Sequence, residues 1–420
     1  MLGVGVYGLI GVAAGTMGNL IWAGFLISAV AALLTALTYA SLGSRYPKAG
    51  GAAYVAGRAF GSPAVSYVLG LTVMASGLVS IATASKAFAS YATPLALGIS
   101  PLVIGILFVG LLGFICFLGM RESSGMNIVC TSIELGGLLL VIAVSVSYWG
   151  NLNLFEFPSP GIKDLSSASL LLLQGAVLTF YAFIGFEDLL NVSEEVKDPA
   201  RHFAPGVGIA VLVTCLVYLA VSISAVSVVP HQELAGHAEG PLALVISKAA
   251  PWVPAGLFGL IALFAIANTA LLNFVMASRL TFGMARQKLL PTSLSTLHHT
   301  RRTPHYAIVG IFVAVVLLGF LGDLSQLAAA TSVLLLLVFI VMNAALLVLK
   351  ARPGEAPGTF EIPALVPICA ILINLGLIAA RALSPDRTPV LIAGLALLVI
   401  GASYAFTQGA LGGKLPANIE

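Results

Sequence analysis

Apolar residues come in runs of about 20 along the whole chain, and most of these runs are separated by polar, proline-containing or charged stretches. A run of that length crosses a bilayer core roughly 30 Å thick as one helix. Twelve segments are read: 1–14, 18–43, 64–92, 101–119, 126–149, 169–192, 206–229, 254–282, 305–321, 325–349, 364–382 and 389–409. The second, third and eighth exceed what a perpendicular crossing needs, so they tilt or extend beyond the lipid. The pattern predicts an all-α integral membrane protein of 12 transmembrane helices, the first of them truncated on its N-terminal side.

The connections have readable characters. Residues 44–61 predict an interfacial helix lying on the membrane face. Residues 150–169, with Pro158 and Pro160, predict a loop, and 231–254 another that carries a short helix over 242–250. Residues 284–304 form a basic connection, and 353–363 are a Pro/Gly-rich linker. Charge then orients the chain. Of the 19 Lys and Arg, Lys86 lies inside the third segment. Only Lys163, Lys248, Arg381 and Arg387 fall on one side; all the others fall on the opposite one. That bias predicts cytoplasmic termini and supports an even number of crossings.

Composition agrees. The chain is 59% hydrophobic and 8% charged, with a mean hydropathy of +1.07, where a soluble protein carries about a quarter charged residues. A net charge of +3 gives no argument for nucleic acid. Cys116, Cys130, Cys215 and Cys369 lie in apolar segments without metal-like spacing and read as small hydrophobes. The first segment lacks a basic n-region and a cleavage site, so it does not read as a signal peptide. No Walker-type phosphate loop and no convergent His, Cys or carboxylate constellation marks an ATPase or an enzyme, and no cofactor is expected.

Two interruptions carry the candidate chemistry. One is Gly3-Val4-Gly5-Val6-Tyr7-Gly8; the other is Phe180-Tyr181-Ala182-Phe183-Ile184-Gly185-Phe186-Glu187, inside the sixth segment. The plainer reading of Gly3 and Gly5 is close helix packing. The functional one is an unwound helix whose free N–H groups and positive dipole end suit a carboxylate. Paired interruptions in corresponding halves point to a transporter's binding site. Glu187 would sit within the apolar span, where an ionisable group faces a cavity or a partner; Asp188 reads more simply as the start of the cytoplasmic end.

These residues resemble a known family, the amino acid–polyamine–organocation superfamily of secondary transporters. Gly3-Val4-Gly5-Val6 resembles its first-helix motif, and Arg45 to Tyr54 the loop after its second helix. Phe180 to Glu187 resembles its broken sixth helix, Glu194-Glu195-Val196-Lys197-Asp198-Pro199-Ala200-Arg201 the loop that follows, and Ser278 to Pro291 the end of the eighth. The likeness implies a LeuT-type five-plus-five inverted repeat: 1–149 and 169–349 as the two repeats, 364–409 as two added helices. It implies an amino acid, or a related amine or polyamine, as cargo. Backbone N–H groups at Gly3, Val4, Gly5 and Val6 would take its carboxylate. Carbonyls of Phe180, Tyr181 and Ala182 would take its ammonium, with Gly185 allowing the break and Phe183 as an aromatic gate.

The chain departs from the family twice. Met1 sits almost on the glycine motif, and 14 residues of helix span only about 21 Å. Either the true start lies upstream or the protein is shortened, in which case a membrane sensor that moves no substrate is the competing reading. The second departure is Glu134 in the fifth segment, where several relatives carry lysine. It reads equally as a static hydrogen-bonded carboxyl and as a group that gains and loses a coupled proton. Asn268 and Thr269, mid-span in the eighth segment, bridge helices in the plainer reading. By resemblance they lie at the coupling site, as additional oxygen ligands if the coupled ion is sodium. His298 and His299 beside Arg301 and Arg302 read as a solvated basic stretch.

Overall fold

Helices α1 (Val4–Met17) and α2 (Ile21–Arg45) run on from one another with a single 3-10 turn, Gly18–Leu20, between them. Gly18 has φ 62° and breaks the line of the helix there. This computed structural model describes residues 2–46, 51–93, 98–119, 123–156, 165–191, 196, 198–236, 240–286 and 290–410. Among these the regular elements are helical. The chain continues through α3 (Gly51–Phe60), α4 (Pro63–Ala92), α5 (Pro101–Leu118), α6 (Ser123–Ser145) and α7 (Leu165–Phe180). Then come α8 (Asp188–Asn191), α9 (Pro199–Val228), α10 (His231–Gly236), α11 (Pro241–Ala249) and α12 (Ala255–Arg286). The last four are α13 (His305–Gly319), α14 (Leu324–Ala351), α15 (Leu365–Ala382) and α16 (Thr388–Ala410).

Ten stretches among the described residues are long and apolar enough to cross a membrane, with Val4–Arg45 counted as one of 42 residues. The shorter α13 is apolar too; its 15 residues extend about 22 Å. The protein is a multi-pass membrane protein. Packing is graded from inside to outside: Leu327, Leu334, Leu336 and Phe339 of α14 are fully buried, whereas Leu391, Leu398 and Phe406 of α16 are exposed. In a membrane those exposed side chains meet lipid at no cost.

The short elements follow the polar punctuation. Helix α3 falls inside 44–61 and α11 overlaps 242–250, as the pattern predicts. Helix α10 was not foreseen. The linker 353–363 carries no helix and folds back onto the ends of α2, α3 and α14. Glu361 receives Nε of Arg45 at 2.7 Å and Nζ of Lys350 at 2.6 Å. Glu355 accepts from the Tyr46 hydroxyl at 2.5 Å and pairs with Arg58 at 3.2 Å. Deeper in the bundle, Thr38 donates to Oδ1 of Asn343 at 2.6 Å, and Nδ2 of Asn374 donates to Thr35 at 3.4 Å, joining α2 to α14 and α15. Residues 47–50, 157–164 and 192–195, with Lys197, lie outside the described residues, and with them Glu194, Glu195 and Lys197 of the loop motif after the sixth segment.

Candidate functional site

Two helix breaks meet at the centre of the bundle. Helix α1 begins at Val4 with no side chain capping its first turn. The N–H groups of that turn therefore lack partners within the helix. Gly3 precedes it at φ 151°, and a Cβ there would overlap Oγ1 of Thr269 and come 3.3 Å from Oε1 of Glu134. The first, fifth and eighth predicted segments thus converge on one point. Thr269 on α12 faces it directly, while Asn268 is buried on the same turn.

The second break lies where the sequence places it. Helix α7 stops at Phe180, and Tyr181–Phe183 form one 3-10 turn. Ile184 is extended and Gly185 has φ 120°, a region in which a side chain is strained. The chain turns back into helix at α8. Glu187 is 7% exposed, and its Oε2 accepts a hydrogen bond from the Gly185 N–H at 2.8 Å. The carboxylate thus closes the turn that the glycine opens. Asp188 is half-buried.

The breaks touch each other. A Cβ on Gly5 would overlap Cα of Ala182 and sit 2.7 Å from its Cβ. Backbone meets backbone at this crossing, which only glycine on the α1 side permits. Val4 and Val6 are buried on either side. Among the three carbonyls expected to face an ammonium, that of Tyr181 already accepts from the Ile184 N–H at 3.3 Å, which leaves it one lone pair. The Phe183 ring is fully buried against Tyr218, with centroids 5.3 Å apart, and against Phe25 at 6.3 Å. Phe180 packs on Phe339.

Glu134 is 1% exposed, and its Oε1 has no hydrogen-bond partner among the described residues. A buried polar atom left so is costly and demands a reason. Its backbone carbonyl accepts from the Tyr7 hydroxyl at 2.9 Å, and the Tyr7 carbonyl accepts from the Tyr91 hydroxyl at 2.8 Å. Sequence reasoning missed Tyr7, Tyr91, Ser80 and Asn273. Tyr7 and Tyr91 carried a signal: a phenol in an apolar helix needs a partner for its hydroxyl. Cys116, Cys130 and Cys215 are buried free thiols, and His299, Arg301 and Arg302 are exposed.

The family described as amino acid permease matches residues 1–403. The chain belongs to the amino acid permease family. Its relatives include a branched-chain amino acid permease of Bacillus subtilis, 28% identical over 90% of this chain and 84% of the relative. A methylthioribose transporter of the same organism is 26% identical over 89% of this chain and 82% of the relative. A mitochondrial cationic amino acid transporter of Arabidopsis thaliana is 27% identical over 85% of this chain, which spans 61% of that longer protein. As a permease, the chain agrees with the resemblance carried by its motifs.

Proposed function

We propose that this permease carries an amino acid between the two helix breaks and couples its movement to an ion at Glu134. The observation that carries the reading is the meeting of the breaks at Gly5 and Ala182, beside a corner made by Gly3, Thr269 and a carboxyl oxygen of Glu134 that has no partner among the described residues. Free N–H groups on one side and carbonyls on the other suit the two charged ends of an α-amino acid. The substrate carboxylate goes to the first turn of α1, and the ammonium to the carbonyls of Phe180 and Ala182. Phe183 closes the site from within the aromatic cluster. Glu134 takes up and releases the coupled proton, with Thr269 and Asn268 as nearby oxygens.

The same reading gives 12 crossings, because the bend at Gly18–Leu20 divides the 42-residue stretch and α13 supplies one more. Residues 1–149 and 169–349 then form two inverted repeats, and 364–409 two added helices, in a cytoplasmic membrane with the basic loops inside. Branched-chain and cationic amino acids are the amino acid classes that the relatives' names suggest, beside the methylthioribose of one relative.

The test is uptake and exchange of labelled L-leucine and L-arginine in proteoliposomes, under imposed proton or sodium gradients. Wild type should accumulate one of them when a proton gradient is applied. Glu134→Gln should keep exchange and lose the stimulation by the gradient. Stimulation that survives in Glu134→Gln removes the coupling role from this carboxyl, and dependence on sodium alone replaces the proton by a metal cation. Wild type that moves neither amino acid overturns the substrate class.

A further inference from the structure

The two breaks are joined by a second route, through side chains that the backbone scheme above does not use. Asn273 lies one turn beyond Thr269 on α12. Its Nδ2 donates to the Thr269 carbonyl at 3.1 Å and to Oγ of Ser80, on α4, at 3.3 Å. The same Ser80 oxygen is hydrogen-bonded to the Tyr181 hydroxyl at 2.9 Å. Tyr181 also donates to the Ser80 carbonyl at 3.3 Å. Helices α4 and α12 pack side by side, and Asn273 bridges them at this level.

We infer that Asn273 is a positioning residue that links the two breaks, so that a change at the Gly3–Thr269–Glu134 corner is transmitted through Ser80 to Tyr181 in the sixth-segment break. The inference rests on the placement of the site proposed above. Ser80 and Tyr181 are 2% and 3% exposed, so water does not compete for the bond between them, while Asn273 is half-buried. Hydrogen bonds in such surroundings are stronger and polarise one another. One amide serves both ends: if Thr269 shifts to accommodate a change at Glu134, its carbonyl moves the donor that holds Ser80, and Ser80 holds the ring of the break. A polar side chain that merely glues helices together would stabilise the bundle without passing information between its ends.

Hydrogen exchange on the full chain in lipid nanodiscs, without ligand, separates these roles. Glu134→Gln should change the exchange rates of amides 181–187 by about fivefold or more, the lower end of usual coupling between sites. In an Asn273→Ala background the same substitution should change them less than about twofold. Ser80→Ala breaks the chain at its next joint and should insulate the break equally; if Asn273→Ala does not fold, Ser80→Ala decides by the same criterion. A full response that persists in either background overturns the inference, as does its absence from the otherwise wild-type chain. Uptake of labelled L-leucine by the same variants in proteoliposomes reports on transport separately. Failure there sinks the transport reading and leaves the exchange result interpretable.

Discussion

Gly5 is the residue on which most depends. By resemblance its N–H takes the substrate carboxylate, but a side chain here would meet the protein first. The first obstacle is in fact Ala182, whose Cα and Cβ occupy the place a Cβ would take. Gly5→Ala must therefore push the two half-helices apart. Overpacking of this kind costs about 1–3 kcal/mol. Thermal melting should fall for Gly5→Ala, and stabilisation by added amino acid should be lost with it. Gly136→Ala, which meets nothing within 4 Å, is the matching control. Equal melting of Gly5→Ala and wild type would mean that the crossing is looser than described.

At the level of elements, the linker after α14 acts as a strap, and its carboxylates give it a pH dependence. The Tyr46 hydroxyl, with Arg58 and Arg352, holds Glu355 below the ordinary carboxylate range. Burial works against the ionised Glu361, but Lys350, the Gly358 N–H and Arg45 outweigh it and also hold that group low. A depressed value in the folded state means that the ionised form supports the fold. That support is complete above the ordinary glutamate value of about 4.3 and is lost as pH falls through the depressed one. Glu361→Gln should therefore melt lower than wild type at pH 7, by about 1 kcal/mol or less for pairs this exposed, and the gap should close in acid. A gap that stays constant down to pH 3 assigns the loss to packing instead. The strap also shows where sequence reading stops. The linker was visible from its prolines and glycines, and the broken sixth helix from Gly185 and Glu187, because both are local signals. The ties from Glu361 to Arg45 and from Tyr181 to Ser80 bridge 316 and 101 residues, and one sequence carries no pattern for such pairs. Glu134 and Thr269 were singled out separately by polarity in apolar helices; only the fold brings them to Gly3. Helix α10 escaped because six residues are too few for a hydrophobic period to declare itself.

For the whole molecule, the proposed arrangement of twelve crossings with the basic loops inside makes a directional prediction. Asn151 and Thr300 are exposed and fall on opposite sides in that arrangement. Single cysteines at these two positions, with the four native cysteines replaced by alanine, should react differently with an impermeant maleimide. Asn151→Cys should label on intact cells, and Thr300→Cys only after permeabilisation. Labelling of both from one side would remove a crossing between them. The bend at Gly18–Leu20 has a further consequence, for biosynthesis. Forty-two helical residues measure about 63 Å, roughly twice the hydrocarbon thickness, and in the twelve-crossing arrangement proposed above Val4–Arg45 enters the bilayer as two passes. Between those passes lies no hydrophilic loop, and Arg45 is the only charge in the stretch. On that arrangement the two passes, joined by a single 3-10 turn, form a helical hairpin that the insertion machinery must handle as one unit.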